Sequence, residues 1–432
     1  MLVSDCLNVN SLGHLTVGEC DTIDLVKEYG TPLYILDENG IRMACRLYKE
    51  AFEEYYEGKG CPLYASKALN CLEICRIINS ENMGLDVVSG GELYTAIQAG
   101  FPMSKIHFHG NNKTFEEIEM AVSNNVGTIV VDNFEELNII NNISMKHNKN
   151  TCVSIRLTPG IDAHTHKFIK TGQIDSKFGF NFENGDALKA VKIALDLPNI
   201  ELKEVHCHIG SQIFELEPFE LAAEITMNFI KQVFDSYNYV INNMNLGGGF
   251  GVRYTEDDDP PKFKDYVKNV SEVVKRKSLE YKIPVPYMYI EPGRSIVAEA
   301  GITLYKIGAI KEIPNVRTYV SVDGGMCDNP RYALYKSSYT CLIANKMHIN
   351  KTKKVTIAGK CCESGDLIQE NVLLPNPERG DILAILSTGA YNYSMASNYN
   401  RIPKPAIVMV NNTRHRVIVK RETYEDLIRN DI

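Results

Sequence analysis

Eight times between Leu63 and Glu291 the chain sets a short β-rich run against a longer stretch of helical spacing. The runs are PLYA near Leu63, GLDVV near Val87, KIHFHG near Phe108, GTIVVD near Val130, TCVSIRL near Ile155, KEVHCHIG near Cys207, NNMNLGGG near Asn245 and YMYIEPG near Ile290. Strands alternating with helices build a parallel sheet, because each helix carries the chain back to start the next strand in the same direction. Local signals support the helices: Ser89 with Glu92 precedes LYTAIQAGFP, and Thr114 with Glu117 precedes IEMAV. Gly100 and Pro102 stop the first of these. Eight units over about 250 residues predict an α/β fold built on a (β/α)8 barrel spanning 37–290. A doubly wound open sheet is the alternative.

In such a barrel, function collects at the C-terminal ends of the strands. Those ends carry Lys67, Asp86, His109, Asp132, Arg156, His208, Gly247 to Gly249 and Glu291. Beyond Gly301 the texture changes to alternating β-rich segments separated by turn residues, from ITLYKIGAIKEI to RHRVIVKR. A second, mainly antiparallel β-barrel or sandwich domain is expected over 291–432, completed by residues 1–36 through GHLTV and PLYILD. DDDPP at Asp257 and KTKK at Lys351 read as solvated turns.

Composition excludes several partners. A net charge of −8 with scattered Lys and Arg offers no basic stripe for nucleic acid. No apolar run is long enough to cross a bilayer, and the first residues lack a signal-peptide pattern, so a cytoplasmic location is expected. The twelve cysteines are dispersed without a CxxC, and most read as small buried hydrophobes.

Four groups at the strand ends can carry chemistry. A lysine after a strand, such as Lys67 in YASKALN, can lose its proton in an apolar pocket and bond an aldehyde cofactor; alone it would read as a surface lysine. The glycines Gly247, Gly248 and Gly249 allow backbone N–H groups to approach a single phosphate, or simply make a tight turn. They lack the spacing of a dinucleotide fingerprint. In VHCHIGSQ, His206 and His208 share a face, which suits a ring stacked on a cofactor, with Ser211 donating to its phosphate. A metal is the alternative, since HxH recurs at His164 and His166, but no spacing supplies the remaining ligands, and none is expected. Glu291 in YIEPGRS would keep a pyridine nitrogen protonated if the cofactor is pyridoxal phosphate; otherwise it pairs with Arg294 at a surface.

The motifs YASKAL, FHGNNK, HCHIGSQ, LGGGFG, EPGRSIVAEAG, VDGGMCDNPRYALY, CCESGD and STGAYNYSMASNYN, with GIDAHTHKFIKTGQIDSKFGF, run through nearly the whole chain. Together they resemble the diaminopimelate decarboxylases, within the alanine-racemase-fold group of pyridoxal-phosphate enzymes. The resemblance implies that Lys67 bonds the cofactor, His208 stacks on its ring and Glu291 meets its nitrogen. It places Asp86 in the cofactor site and Ser211, Gly247 to Gly249, Gly293, Arg294 and Tyr391 around the phosphate. Arg294, Arg331 and Tyr335 are implied to grip the distal carboxylate of the substrate, Tyr391 to line the same site, and Glu363 to meet the distal ammonium. Cys362 is implied to protonate the product from the partner subunit of a homodimer with shared sites. Leu69, Asn70 and Thr158 depart from the commoner pattern without touching a catalytic role.

The resemblance implies decarboxylation of meso-2,6-diaminopimelate to L-lysine and carbon dioxide, the last step of lysine biosynthesis by that route. Charge agrees, because two arginines with Glu363 suit a zwitterionic far end, whereas an ornithine-type substrate presents a lone ammonium. The rivals are a decarboxylase of another basic amino acid or carboxylated polyamine, and a non-catalytic regulatory homologue. The second should have lost Lys67 or Cys362, and both are present. If Cys361 and Cys362 lie on a strand they face opposite ways, which assigns Cys361 to packing and Cys362 to proton delivery.

Overall fold

The computed structural model describes residues 2–160 and 176–432; His164, His166 and most of the GIDAHTHKFIK motif lie outside them. The chain divides into two units. One, the barrel unit, takes Ala44–Gly251 and Pro260–Gly293. The other, the β unit, takes Met1–Met43, Val252–Asp259 and Arg294–Ile432. The sequence placed its boundaries at 36/37 and 290/291; the structure divides the chain at 43/44 and 293/294 and gives Val252–Asp259 to the β unit.

The eight runs form strands β1 (Gly60–Ala65), β2 (Gly84–Val87), β3 (Ile106–Phe108), β4 (Thr128–Val131), β5 (Thr151–Thr158), β6 (Ile200–Cys207), β7 (Asn243–Asn245) and β8 (Tyr287–Ile290). Each pairs in parallel with the next in sequence. β8 then pairs with β1, Met288 beside Gly60 and Ile290 beside Pro62, so the sheet closes and the open-sheet alternative falls.

Closure gives the alternation of side chains its meaning. Leu85, Val87, Ile106, Phe108, Ile129, Val131, Ile155, Val205, Met244 and Met288 are buried on one face of their strands. The opposite face carries Asp86, His107, His109, Arg156, Glu204, His206 and Asn245, which are also buried. β3 and β6 are not neighbours in the sheet, yet the rings of His109 and His206 stand 4.7 Å apart, and His107 Nδ1 lies 3.5 Å from Glu204. Only the barrel interior connects those strands. The interior is therefore polar through much of its height, unlike the Val, Ile and Leu layers usual in this architecture. Buried polar groups need partners, yet Asp86 Oδ1, His107 Nδ1, His109 Nε2 and both Glu204 carboxylate oxygens have no hydrogen-bond partner among the described residues.

The helix signals are met with one revealing exception. Thr114 and Glu117 close a reciprocal capping box on the helix Phe115–Ser123. Ser89 Oγ caps the helix Gly90–Gln98 by accepting from the Glu92 N–H. The Glu92 carboxylate does not return to Ser89; it accepts from Ser66 Oγ at 2.6 Å and from Val88 N at 2.9 Å. Tertiary contact has redirected a local cap toward the turn that carries Lys67.

In the β unit, Gly301–Ile313 is the hub of a nine-stranded sheet. It pairs antiparallel with Arg317–Val322, Ile382–Ile385 and Leu33–Asp37. PLYILD thus joins this sheet, whereas GHLTV does not: Leu15–Val17 pairs with Leu7–Val9 and Cys20–Asp21 in a separate three-stranded sheet. Apolar residues of both sheets, Leu7, Leu15, Val17, Leu33, Ile35, Ile302 and Val408 among them, share one core. Two pairings are parallel, Leu33–Asp37 with Ala406–Asn411 and Arg317–Val322 with Lys353–Ala358. KTKK is not wholly a turn, because Lys353 and Lys354 open the last of these strands.

Candidate active site

The carboxylate of Glu291, one residue beyond β8, is the anchor of the barrel interior. His109 Nε2 stands 2.8 Å from its Oε1, Asn245 Nδ2 donates to the same oxygen at 2.8 Å, and His206 Nε2 lies 3.2 Å from Oε2. Burial would raise the pKa of this carboxyl, but the imidazoles of His109 and His206 outweigh it and hold Glu291 well below the usual carboxylate range. Burial lowers the pKa of both imidazoles, with the Glu291 carboxylate pulling the other way. Asn245 and His206 thus hydrogen-bond one oxygen each, and His109 stands close to Oε1.

Asp86, buried at the end of β2, behaves in the opposite way. Burial raises its pKa to about 6, with His109, 3.7 Å away, pulling the other way and Glu291 adding to the rise. Two carboxyl groups in one interior are thus driven apart by their neighbours, one ionised and one near neutrality. Asp132 and Arg156, ending β4 and β5, approach to 3.8 Å beside them.

Lys67 lies in the single turn Ser66–Ala68 directly after β1, with its side chain exposed and its neighbour Ser66 held by Glu92. His208 is half-buried just beyond β6; burial first, and the charge of Lys67 next, hold its pKa well below the ordinary imidazole value. Its Nδ1 accepts from the Gly248 N–H at 3.2 Å, which leaves the ring neutral with its proton on Nε2. The Gly247 N–H is likewise taken, by Asn245 Oδ1 at 3.0 Å. Two amides that the sequence aimed at a phosphate are thus engaged within the barrel. A Cβ at Gly248 would sit 2.2 Å from the Glu291 carbonyl oxygen, so glycine here permits close approach of β7 and β8. Gly293 packs in the same way, its missing Cβ 2.9 Å from that of Ala65. Ser211 lies half-buried between β6 and the helix Glu217–Tyr237.

In the β unit, Arg294 and Arg331 are 8% and 7% exposed, the reverse of what long cationic side chains usually do. The Arg294 guanidinium sits 4.6 Å over the Tyr391 ring, and its Nη1 donates to Tyr254 Oη at 2.5 Å. Arg331 Nη1 donates to Tyr339 Oη at 2.7 Å. Tyr335 closes the short helix Arg331–Tyr335 and is half-buried; the phenols against Arg331 are Tyr339 and Tyr254.

The cysteine pair lies in a loop after Lys353–Ala358, not on a strand as the sequence suggested. Asp366 builds that loop, accepting from Cys361 N at 2.7 Å and Met326 N at 2.6 Å. A Cβ at Gly359 would come within 2.2 Å of the Asp366 carboxylate, which explains the glycine. The turn buries Cys361 and exposes Cys362 and Glu363, so opposite facing is achieved without a strand. Cys362 N–H donates to Asn400 Oδ1 at 2.7 Å, and Tyr399 Oη lies 3.4 Å from Glu363. All twelve cysteines are free thiols, and among the described residues only Cys362 is exposed.

His109, Asn245, Tyr254 and Tyr339 were not singled out as site residues from sequence. The HxH pattern on both β3 and β6 was a usable signal, since alternation puts all four histidines on the interior side. Nothing local marks Tyr254 or Tyr339.

A closed parallel barrel with a lysine after its first strand and an ionised carboxylate after its last defines a pyridoxal-phosphate enzyme class, and the family model for the pyridoxal-dependent decarboxylase pyridoxal-binding domain matches residues 38–298. Diaminopimelate decarboxylase of Bacillus methanolicus is 51% identical over 96% of this chain and 96% of its own; that of Bacillus subtilis is 49% identical over 98% and 96%. The crystal structure of diaminopimelate decarboxylase from M. jannaschii in complex with L-lysine superposes with a TM-score of 0.92 at 38% identity, covering 100% of this chain and 99% of that one. The chain belongs to the diaminopimelate decarboxylase family.

Proposed function

We propose that this chain decarboxylates meso-2,6-diaminopimelate to L-lysine and carbon dioxide with pyridoxal phosphate, and that it does so in the cytoplasm as a homodimer. One observation carries the choice of cofactor. Glu291 is a buried carboxylate that hydrogen-bonds Asn245 and His206, one on each oxygen, and so keeps acceptor capacity for a protonated pyridine nitrogen. When bound, the cofactor supplies an electron sink for the carbon that loses carbon dioxide.

The protein's residues supply the rest. Lys67 Nζ would hold the cofactor covalently. His208, whose imidazole burial keeps from protonating, would stack on its ring. Asp86 would line the cofactor site, and Ser211, Gly249, Gly293, Arg294 and Tyr391 would hold the phosphate. Arg294, Arg331, Tyr335 and Tyr391 receive the distal carboxylate, and Glu363 the distal ammonium. Cys362 Sγ delivers the proton that replaces the lost carboxylate. Exposure of Cys362 and Glu363 on an Asp366-built loop in a single chain supports their donation to a second copy. No helix among the described residues is long and apolar enough to cross a membrane.

Two buried guanidiniums favour diaminopimelate over substrates with a bare distal amine. Purified protein supplied with pyridoxal phosphate should release lysine from meso-diaminopimelate far faster than it decarboxylates ornithine, arginine or a carboxylated polyamine. Faster turnover of any of these overturns the substrate assignment, and failure to acquire the cofactor's absorption band overturns the enzyme.

A further inference from the structure

Arg294 and Arg331 are two cations withdrawn from water into one unit, a costly arrangement unless acceptors surround them. The side chain both stand against is Tyr254, a residue that lies just past the glycine turn and is 5% exposed. Its Oη accepts from Arg294 Nη1 at 2.5 Å, and the guanidinium carbon of Arg331 stands 5.0 Å from its ring centroid. The groups acting most strongly on Arg331 are the phenols of Tyr254 and Tyr339. Tyr339 packs its ring edge-on against Tyr254 at 5.1 Å and takes the Asn392 amide at 3.2 Å on its own hydroxyl.

Tyr254 is fixed independently of the arginines. Its N–H donates to Asp258 Oδ2 at 2.9 Å, and the same oxygen takes Thr255 N at 2.8 Å, so Asp258 locks the turn. Its carbonyl accepts from Thr340 N at 3.1 Å and Thr340 Oγ1 at 2.9 Å. A phenol clamped through its backbone on both sides presents its oxygen and its ring at one place, so a guanidinium that donates to the oxygen and a second that stands over the ring are set at a defined spacing. Bidentate recognition of a carboxylate depends on such spacing, and preorganised donors bind more tightly than mobile ones.

We propose that Tyr254 is a positioning residue that aligns Arg294 and Arg331 as a joint receptor for the carboxylate at the far end of the substrate, and so sets the preference for carboxylate-bearing over amine-terminated chains. The proposal rests on the assignment of Arg294 and Arg331 to the distal carboxylate. Tyr254 touches neither the reacting carbon nor the proton donor in this scheme; it acts through the two arginines.

The test compares two ligands on the cofactor-loaded enzyme by titration calorimetry. L-Lysine carries the distal carboxylate, and 1,5-diaminopentane is the same chain without it. Tyr254→Phe keeps the ring and removes the oxygen. It should weaken L-lysine binding about tenfold to a hundredfold, the range for hydrogen bonds to charged groups, and leave 1,5-diaminopentane within about twofold. Equal weakening of both ligands, or of neither, overturns the proposal. If Tyr254→Phe does not fold, Asp258→Asn loosens the turn behind the phenol; a loss confined to L-lysine supports the proposal and an equal loss overturns it. Wild-type enzyme that binds the two ligands alike instead overturns the carboxylate receptor itself, before any variant is compared.

Discussion

The two units solve the same problem with opposite signs. In the barrel, an anion, Glu291, is buried against His109, His206 and Asn245. In the β unit, two cations, Arg294 and Arg331, are buried among neutral acceptors, the phenols of Tyr254 and Tyr339. Imidazole and amide nitrogens meet the anion, and phenol oxygens meet the cations. A buried salt bridge would have satisfied each group completely and left nothing for a ligand. Hydrogen-bonding partners of this kind keep each charge tolerable in the interior.

The sharpest break of this symmetry is Glu291→Gln, which keeps the shape and removes the charge. Turnover of diaminopimelate should fall by roughly a thousandfold, the scale of losing a preorganised electrostatic group, with a smaller change in KM; steady-state kinetics on cofactor-saturated protein measure both. A fall of less than about tenfold would mean that the anion is not what the barrel site provides.

Cysteines 361 and 362 test exposure against burial within the β unit. Cys362→Ala should cut kcat by about a hundredfold, within the range for loss of a general acid, and leave the melting temperature unchanged. Cys361→Ala should do the reverse, costing about 1 kcal/mol of stability as a buried thiol is lost while kcat holds. The opposite pattern would exchange their roles.

Arg331→Met converts the cation to an apolar side chain of comparable length. KM for diaminopimelate should rise roughly thirtyfold, as expected for loss of a charge-assisted pair. The melting temperature should stay level or rise, because replacing a buried ionic group by a well-packed apolar one is often neutral or stabilising. A large fall in melting temperature would mean that the guanidinium is structural.

The smallest effect concerns Asp86, the carboxyl that the same interior raises. With a native pKa of about 6 against about 3.9 unfolded, the folded state binds more protons in that interval, so its contribution to stability falls as pH rises from about 4 to 6. Asp86→Asn should remove that slope and raise the melting temperature of cofactor-free protein at neutral pH. Thermal scans between pH 4 and 7 would show it, and an unaltered slope would assign the proton elsewhere.

Much of this was legible before any coordinates. The eight strand runs, the barrel and the strand-end positions of Lys67, Asp86, His208 and Glu291 follow from alternation and local punctuation. Within the β unit the segments beyond Gly301 were readable as strands, but Cys341–Ile343 and Leu367–Leu374 were missed. Cys341–Ile343 is too short for a period to show. Leu367–Leu374 holds QEN in its middle, which breaks the apolar texture. The Glu92 side chain illustrates the limit in one residue: its spacing from Ser89 promised a local cap, and the Ser66 hydroxyl after the neighbouring strand took it instead.

The sequence by itself determined the order of elements, because side-chain period and turn chemistry act over a few residues. It also set which groups end each strand. Only the tertiary structure decided what those groups do to one another. His109, His206 and Asn245 meet on Glu291 because the sheet closes, and Tyr254 stands between Arg294 and Arg331 because residues 40 to 77 positions apart fold into one cluster. Protonation and charge inside a protein are set by neighbours in space, and no local pattern encodes those neighbours.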